Sequence, residues 1–486
     1  MRGLGFDFNN LFSFNVGKEN GITEGQLDSI MPLALKGFRH LLKISKDVRN
    51  RRRLGLEWMA LPYQGKDTLL EIKRLGQDIA ANFSEVIFLG IGGSYLGLKA
   101  AQDALGYPYY NEFERVRNGR PRIYFEGNNL DPNTLSVLLS QLDCRSTCVV
   151  VISKSGKTLE TIATFSVVDD WLKKGLGPSY GRHIVVITDP EVGILRQRLK
   201  SLAQGDPLSF RSLPLLQGVG GRFSELNMGL LHLAILGVDI EEVIAGARQM
   251  AQRCLSSNFF KNPALMYAAI MDFLYRKKNK HISIFMPFSE TLKSTADWYV
   301  QLVAESLGKK YTRKIKTEKG GLEVWLPDTD RVLNVGITPI AARGTNDLHS
   351  IHQNNVEGEN NKVVTFVRVE GFARDITLPE DNEFYPGVKF SQLLNLAQEA
   401  AAWSLAKEGR PNCCIKLPQL SPFYWGELIF FLEMAVAYLG EFLNINAFDQ
   451  PGVESYKEYM RCKLNPKTQE QVVLDKKLLF KARYIL

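Results

Sequence analysis

Four short runs of apolar residues constrain the fold of this chain more than any other feature of its sequence. Each run is followed by a turn of small residues and a helix-like segment, and the runs are residues 86–89, 123–125, 148–152 and 183–187. Continuous apolar runs of this length are typical of strands buried on both faces of a parallel sheet. The alternation of strand, turn and helix therefore predicts an α/β fold with a doubly wound parallel sheet.

A similar pattern returns after a mainly helical stretch, and it predicts a second domain of the same kind. Strands are predicted over residues 281–287, 332–337 and 362–369, with a helix over 298–307. A chain of 486 residues has room for two domains of about 100–200 residues and an extension. The expected division is a helical N-terminal extension (1–80), a first domain (81–255), a second domain (256–450) and a helical C-terminal tail (451–486).

Composition argues against several classes of protein. Hydrophobic residues make up 45% of the chain and charged residues 23%, values typical of a globular protein. The sequence contains no apolar run of about 18 residues, the length a membrane helix needs, and its first residues lack the pattern of a secretory leader. The net charge of +8 is modest and the basic clusters are short, so we expect neither nucleic acid nor a membrane as a partner. The six cysteines form no C-x-x-C pair, which favours free thiols in the cytoplasm.

A glycine-rich segment, FLGIGGSYLG, follows the first predicted strand and contains Gly93 and Ser94. Glycines let the backbone approach a ligand closely, and the amide groups at a helix N-terminus attract anions. The dinucleotide fingerprint G-x-G-x-x-G requires a glycine at Tyr95, so the sequence disfavours a nicotinamide cofactor. The alternative is a tight turn that simply needs small residues.

A second loop, SKSGKT, follows the strand predicted at 148–152 and is rich in hydroxyl groups. It offers Ser153, Ser155 and Thr158 together with Lys154, and such groups at the start of a helix can hold a phosphate. One hydroxyl would suffice to cap a helix, so three favour a ligand. The loop ends like a Walker A motif, but the first glycine of that motif would have to replace Val151 inside the strand. An ATPase is therefore a weaker enzyme hypothesis than a phosphosugar enzyme.

Later in the sequence, three residues suggest acid–base chemistry. Arg222 follows a pair of glycines that includes Gly221, and such an arginine can stabilise an oxyanion. Gln301 and Glu305 are spaced i, i+4 among apolar residues, so they share one helix face. A glutamate in such surroundings suits a general base. The alternatives are a surface arginine and a glutamate at the polar edge of an amphipathic helix.

Two later segments contribute single polar groups. His349 and His352 are spaced H-x-x-H, but no further cysteine or carboxylate ligand lies at a useful spacing, so we expect no metal site. One histidine is a candidate acid–base group and the other a structural one. Gln450 stands before a Pro-Gly turn that is followed by Lys457, and from spacing alone a surface lysine explains Lys457 equally well.

Taken in order, these segments resemble the glucose-6-phosphate isomerase family, in its bacterial form. The resemblance spans residues 91–457 and rests on IGGSYLG, SKSGKTLET, GGRFS, QLVAESLGK, GTNDLHS and QPGVESYK. It implies two sugar-isomerase domains, each an αβα sandwich, and a homodimer whose active site lies at the interface. It also implies an aldose–ketose isomerase of glycolysis and gluconeogenesis that uses no cofactor and no metal.

The resemblance implies a role for each candidate residue. Ser94, Ser153, Ser155 and Thr158 would hold the phosphate, with Lys154 contributing mainly its backbone, and Gly93 and Gly221 would also belong to the substrate-binding site. Glu305 would move a proton between C2 and C1 of the sugar, and Arg222 would stabilise the cis-enediol(ate). His349, from the partner subunit, and Lys457 would assist ring opening, while Gln301 and Gln450 would orient hydroxyl groups.

The sequence departs from the family pattern at three positions and leaves two alternatives open. Phe223 stands where the family usually has tyrosine, Leu348 where it has glutamine, and Lys157 where it often has a hydroxyl residue. A phosphosugar sensor would need the phosphate loops but not the acid–base residues, so those residues favour an enzyme. Action on mannose 6-phosphate as well would depend on placement around C2, which the sequence does not specify.

Overall fold

The computed structural model describes residues 3–203 and 210–464, and within them the chain forms two five-stranded sheets and a two-stranded hairpin. The strands are β1 (Gly5–Asp7), β2 (Glu85–Leu89), β3 (Arg122–Glu126), β4 (Thr147–Ile152), β5 (Ile184–Thr188), β6 (Arg211–Pro214), β7 (Ile282–Phe288), β8 (Arg313–Thr317), β9 (Glu323–Pro327), β10 (Thr338–Ala341), β11 (Lys362–Gly371) and β12 (Asn412–Gln419).

The α-helices connect these strands and flank the sheets. They are α1 (Ser13–Val16), α2 (Glu24–Lys46), α3 (Val48–Leu54), α4 (Lys66–Asn82), α5 (Gly93–Leu105), α6 (Glu114–Arg117), α7 (Pro132–Gln141), α8 (Leu159–Leu176), α9 (Ile194–Ala203), α10 (Gly229–Leu236), α11 (Ile240–Cys254), α12 (Pro263–Lys277), α13 (Lys293–Leu307), α14 (His352–Glu357), α15 (Phe390–Lys407), α16 (Pro422–Leu443) and α17 (Glu454–Leu464).

The first sheet is entirely parallel, with the strand order β3-β2-β4-β5-β6. All five residues of β2, all six of β4 and all five of β5 are buried, as expected for strands covered by helices on both faces. The order reverses between β2 and β4, and ligands of doubly wound sheets bind where the order reverses, beyond the carboxyl ends of the strands. The predicted α/β fold is confirmed, and the four predicted strands of this sheet are present.

The second sheet has the order β1-β12-β11-β7-β10, and its four later strands are parallel. The short β1 pairs antiparallel with β12 at one edge. Here the order reverses between β7 and β11, and α13 follows β7 directly after a 3-10 turn. The second sheet therefore repeats the switch-point arrangement of the first.

The prediction of a strand over 332–337 is wrong. These residues contain only an isolated bridge at Val335, and the strand begins at Thr338. Asn334 has φ +50° and Gly336 has φ +148°, so the backbone leaves the extended conformation twice within this segment. The strand β12 and the hairpin of β8 and β9 were not among the predicted strands.

The helix α16 lies in the largest apolar core of the fold. Nineteen of its 22 residues are buried, and a mainly apolar helix that is covered on nearly all sides lies inside a large core rather than at the surface. It packs most extensively against α11 and α12. One face of the first sheet and one face of the second also contribute to this core.

The chain divides into a unit formed by residues 1–448 and a second unit that begins at Asp449. The described part of the second unit consists of a 3-10 turn, Pro451–Val453, and α17. The predicted helical tail continues to residue 486, and its part beyond 464 lies outside the described residues. Within the described residues no helix is long and apolar enough to cross a membrane. The domain boundaries expected from the sequence remain predictions.

Candidate active site

The glycine-rich loop after β2 lies directly against the segment that carries Arg222. A Cβ atom on Gly93 would collide with the carbonyl carbon of Gly221, so only glycine permits this approach of the two backbones. Gly92 has φ +59°, and a Cβ there would lie 2.9 Å from the Nε2 atom of Gln301. The glycines therefore serve to bring α5, the arginine segment and α13 together.

Arg222 is almost completely buried, with 3% of its side chain exposed. Its guanidinium group is held in three directions. Nε donates to the Ser306 hydroxyl at 2.8 Å, Nη2 donates to the Ala447 carbonyl at 2.7 Å, and Nη1 donates to Glu305 Oε2 at 3.0 Å. A planar group fixed along several edges keeps one orientation, so the cation is preorganised beside the carboxylate.

Glu305 combines a fixed carboxylate with access to solvent. One oxygen accepts from Arg222, the other accepts from Gln301 Nε2 at 3.1 Å, and 30% of the side chain remains exposed. The i, i+4 spacing on α13 brings Gln301 and Glu305 into contact, as the sequence predicted. The sequence predicted apolar surroundings for Glu305, but in the structure its carboxylate is hydrogen-bonded by the guanidinium group of Arg222 and the side-chain amide of Gln301.

The loop after β4 contains the predicted hydroxyl groups. Ser153 Oγ accepts from the amide of Gly156 at 3.1 Å, and Ser155 Oγ accepts from the amide of Lys157 at 3.2 Å. Thr158 is the residue before α8 and makes no side-chain capping bond there. The loop is thus folded on its own hydroxyls at the start of a helix, where backbone amides favour an anion.

A lysine links the hydroxyl loop to the arginine segment. Lys154 Nζ donates to the Val219 carbonyl at 3.1 Å, three residues before Arg222, and loss of surrounding water lowers the pKa of this ammonium group. The strands β2 and β4 are neighbours in register, with Leu89 opposite Val151. Both loops therefore leave the same edge of the first sheet, at its switch point.

The comparisons with known proteins agree with this geometry. Residues 73–325 match the family model described as phosphoglucose isomerase. A glucose-6-phosphate isomerase of Carboxydothermus hydrogenoformans is 36% identical over 94% of this chain and 93% of its own length.

The chain belongs to the glucose-6-phosphate isomerase family.

A further relative matches nearly the whole chain, and two solved structures share its fold. A glucose-6-phosphate isomerase of Fusobacterium nucleatum is 32% identical over 97% of this chain and 98% of its own length. The crystal structure of a hypothetical protein from Thermus thermophilus has a TM-score of 0.78 at 32% identity, covering 95% of this chain and 99% of that one. The structure of a glucose-6-phosphate isomerase from Chlamydia trachomatis, at 23% identity and a TM-score of 0.73, covers 93% of this chain and 89% of that one and shares the fold.

Three of the residues that the isomerase resemblance singled out are His349, on another loop of the first unit, and Gln450 and Lys457, in the second unit. His349 is the exposed last residue of a 3-10 turn, Asn346–His349, between β10 and α14, and the contacts described above do not include it. Lys457 lies on α17 and donates to Glu454 at 2.8 Å within the second unit. Gln450 precedes the 3-10 turn of that unit. The described residues contain no group of three or more His, Cys, Asp or Glu side chains suited to a metal ion.

The structure explains two of the departures from the isomerase pattern. Phe223 is 1% exposed and stacks on Trp58 with ring centroids 4.9 Å apart, so a phenolic hydroxyl at this position would need a partner inside the core. Leu348 packs against the apolar core of the second sheet. Lys157 is exposed in the hydroxyl loop, and nothing in the structure assigns it a role.

Sequence reasoning missed the groups that hold the arginine in place. Ser306 follows Glu305 directly, and a hydroxyl beside a candidate base in an apolar helix could have indicated it. Ala447 contributes only its carbonyl oxygen, for which no sequence pattern exists. Glu225 and Trp298, which lie behind the site, are joined by a hydrogen bond of 2.7 Å.

Proposed function

We propose that this chain interconverts glucose 6-phosphate and fructose 6-phosphate, as a cytoplasmic enzyme that needs no metal or cofactor. The observation that carries the proposal is the contact between Glu305 and Arg222 at 3.0 Å. A carboxylate beside a guanidinium group, next to two loops suited to a phosphate, supports a proton acceptor and an oxyanion stabiliser at this position. Membership of the glucose-6-phosphate isomerase family supports the choice of substrate.

The loops of the first sheet bind the substrate phosphate in this proposal. Ser94 at the start of α5 and the hydroxyls of Ser153, Ser155 and Thr158 surround it, together with the amides of the Lys154 loop. These groups supply fixed dipoles at helix N-termini, which favour a dianion without a metal ion. The phosphate anchors the sugar while its C1 and C2 atoms reach Glu305.

The reaction moves one proton between neighbouring carbons. Glu305 removes the proton from C2 of the open-chain aldose, the electron pair forms the C1–C2 double bond, and O1 takes up a proton. The hydroxyl on C2 then loses its proton as the C2 carbonyl forms, and the Glu305 carboxyl returns its proton to C1. Arg222 stabilises the negative charge that develops on oxygen, which typically contributes a factor of about 10²–10³.

The remaining candidate residues act before and around this step. His349 and Lys457 would open the sugar ring by moving a proton to and from the ring oxygen, and Gln301 and Gln450 would orient hydroxyl groups. In the proposed homodimer the partner subunit supplies the histidine, in keeping with the exposure of His349 within its own chain.

The proposal is tested by an assay of the purified chain with fructose 6-phosphate in the presence of EDTA. Glucose 6-phosphate is detected with a coupled dehydrogenase, and we expect steady turnover that EDTA does not reduce. Binding of the phosphosugar without turnover would overturn the proposal in favour of a sensor. A parallel reaction with mannose 6-phosphate determines whether the C2 epimer is also a substrate, and sedimentation of the same sample reports whether the chain dimerises.

A further inference from the structure

Two glutamates meet inside the core directly behind the proposed active site. Glu225 and Glu433 are each 1% exposed. Glu225 lies three residues after Arg222, and Glu433 lies on the central helix α16. Their carboxyl groups contact each other. The isomerase reaction proposed above uses neither of them, and burying a carboxylate without a cation is costly.

The two carboxyl groups have fewer hydrogen-bond donors around them than they have oxygen atoms. Glu225 Oε1 accepts from Trp298 Nε1 at 2.7 Å. Its Oε2 atom, and both oxygens of Glu433, have no donor among the described residues. An ionised carboxylate can only accept, so two ionised groups could not bond to each other. One shared proton supplies the missing donor and removes one of the two negative charges.

The position of Glu225 connects three elements of the proposed site. A Cβ atom on Gly97 of α5 would collide with the Glu225 carboxyl group, so the helix that carries Ser94 rests on this side chain. Trp298 lies on α13, two helical turns before Glu305, on the same face. The hydrogen bond from Trp298 therefore fixes α13 to the segment that carries Arg222.

We propose that Glu225, joined to Glu433 by a shared proton, is a positioning residue that sets the placement of Arg222 relative to Glu305. This inference rests on the proposed isomerase function for its catalytic consequence. The shared proton itself is independent of that function. In this proposal the Glu225 carboxyl group joins α5, α13 and α16 directly behind the active site.

Several ionisable groups on the surrounding elements have other partners. On α5, Lys99 pairs with Asp103, and on α13, Glu305 pairs with Arg222. On α16, Glu427 accepts from the backbone of Leu4 and from Gln249, while Glu441 pairs with Arg313 and His40.

The pKa values of the two glutamates are both raised. Burial raises the pKa of Glu225 to about 7. Burial and the repulsion from Glu225 raise the pKa of Glu433 well above its usual value.

The positioning role is tested with a pair of variants at one residue. Glu225→Leu removes the acceptor for Trp298, and we expect kcat to fall at least about tenfold, the equivalent of about 1.4 kcal/mol, with KM changed less than about twofold. Glu225→Gln offers an oxygen to Trp298 and an amide to Glu433, and we expect it to retain most of kcat. An unchanged kcat in Glu225→Leu would overturn the positioning role, as would an equal loss in both variants.

A second variant covers the case in which Glu225→Leu does not fold. Trp298→Phe keeps the aromatic ring and removes only the N–H donor. We expect a loss of kcat of similar size with KM preserved, and a wild-type kcat would contradict the proposal.

The shared proton is tested by infrared spectroscopy of the folded chain in D₂O at neutral pH. We expect the stretching band of a protonated, buried carboxyl in the wild type and its loss in the double variant Glu225→Gln, Glu433→Gln, whose two amides can bond to each other. Identical spectra would overturn the shared proton whatever the activity. An inactive wild type would instead overturn the proposed function and with it the positioning role, while the spectra would still decide the proton.

A pH series of unfolding provides the same information as a free energy. A carboxyl group with a raised pKa stabilises the fold fully below its unfolded value near 4.5, and this contribution is lost as the pH rises through the folded value near 7. We expect the wild type to lose stability over this window relative to the double variant. A constant difference between the two proteins from pH 4.5 to 8 would contradict the shared proton.

Discussion

The two sheets repeat one arrangement, and the proposed function uses it for different chemistry in each. In the first sheet the loops after β2 and β4 flank the switch point and present backbone amides and hydroxyls from local sequence. In the second sheet the helix that follows β7 presents the carboxylate of Glu305 and the amide of Gln301. Holding a phosphate requires dipoles that one loop can supply, whereas acid–base chemistry requires a side chain whose neighbours come from distant parts of the chain.

Arg222 shows this difference most clearly. It follows the last strand of the first sheet, yet its guanidinium group bonds to Glu305 and Ser306 of α13 and to the carbonyl of Ala447. In the proposed function, the first sheet thus contributes one residue to the group that carries out the proton transfer. If the two sheets divide the chemistry in this way, substitutions of Arg222 and Glu305, the reacting half of the site, should reduce kcat. Substitutions in the phosphate loops after β2 and β4 should raise KM.

The largest effect is expected for Glu305→Gln. The amide has nearly the same shape but cannot accept a proton from carbon, so kcat should fall by about 10²–10⁴ while phosphosugar binding persists. Turnover in the coupled assay and binding by calorimetry measure the two quantities. Glu71→Gln, on the exposed side of α4, is the matched control and should behave as wild type. Wild-type turnover in Glu305→Gln would contradict the proposal that α13, which follows the second sheet's β7, supplies the base.

The next effect is expected for Arg222→Lys. Lysine keeps the charge but lacks the planar group that bonds in three directions, so kcat should fall by about 10²-fold with a smaller change in KM. Steady-state kinetics test this, with the exposed Arg74→Lys as the control. A change confined to KM would place Arg222 with the phosphate loops and break the proposed division.

A smaller effect, of the opposite kind, is expected in the hydroxyl loop. Ser153→Ala combined with Thr158→Ala removes two candidate phosphate ligands, and a typical hydrogen bond contributes about 0.5–1.5 kcal/mol. We expect KM to rise about 10–100-fold with kcat largely kept. The exposed pair Thr134→Ala and Ser140→Ala on α7 controls for the loss of hydroxyls as such. A fall in kcat at unchanged KM would contradict the division.

The smallest effect is expected for the ion pairs that join α2 to α16 and β9. His40 on α2 contacts Glu441 of α16 at 2.6 Å and Glu323 of β9 at 3.1 Å, and the hydrogen bond to Glu441 raises the pKa of His40. Its stabilising contribution is present below the unfolded pKa of about 6.5 and is lost as the pH rises through the folded value. We expect His40→Gln to be less stable than wild type at pH 6, by about 1–3 kcal/mol.

Thermal unfolding of both proteins across the pH range measures this contribution. The difference between wild type and His40→Gln should close at alkaline pH. A difference of equal size at pH 6 and pH 9 would assign the effect to packing rather than to charge.

The strands of the first sheet were predictable because both of their faces are buried. Continuous apolar runs such as 148–152 lie within the observed β4. The prediction failed at 332–337, where an apolar pattern is interrupted by Asn334 and Gly336 in unusual backbone conformations. The strand β1 has only three residues, too few for a periodic pattern to predict it.

In the candidate site, as in the sheets, the sequence predicted local relations but not contacts between distant segments. The i, i+4 relation of Gln301 and Glu305 follows from helix geometry, and the sequence alone predicts it. The bond between Arg222 and Glu305 joins residues 83 positions apart, and the contact between Glu225 and Glu433 joins residues on separate elements. Such contacts depend on how helices pack, which no local pattern encodes, and the family resemblance was needed to connect the residues.

The pairing of β1 with β12 has a consequence for the synthesis of this protein. Asp7 and Lys416 lie 409 residues apart in the chain and meet at the edge of the second sheet. At translation rates of about 5–20 residues per second, β1 waits roughly 20–80 s before its partner strand is made. A chain without β1 would leave the edge of β12 open to strands of other molecules. The strand β1 is therefore among the last elements to find its place in the fold, and it covers the edge of β12.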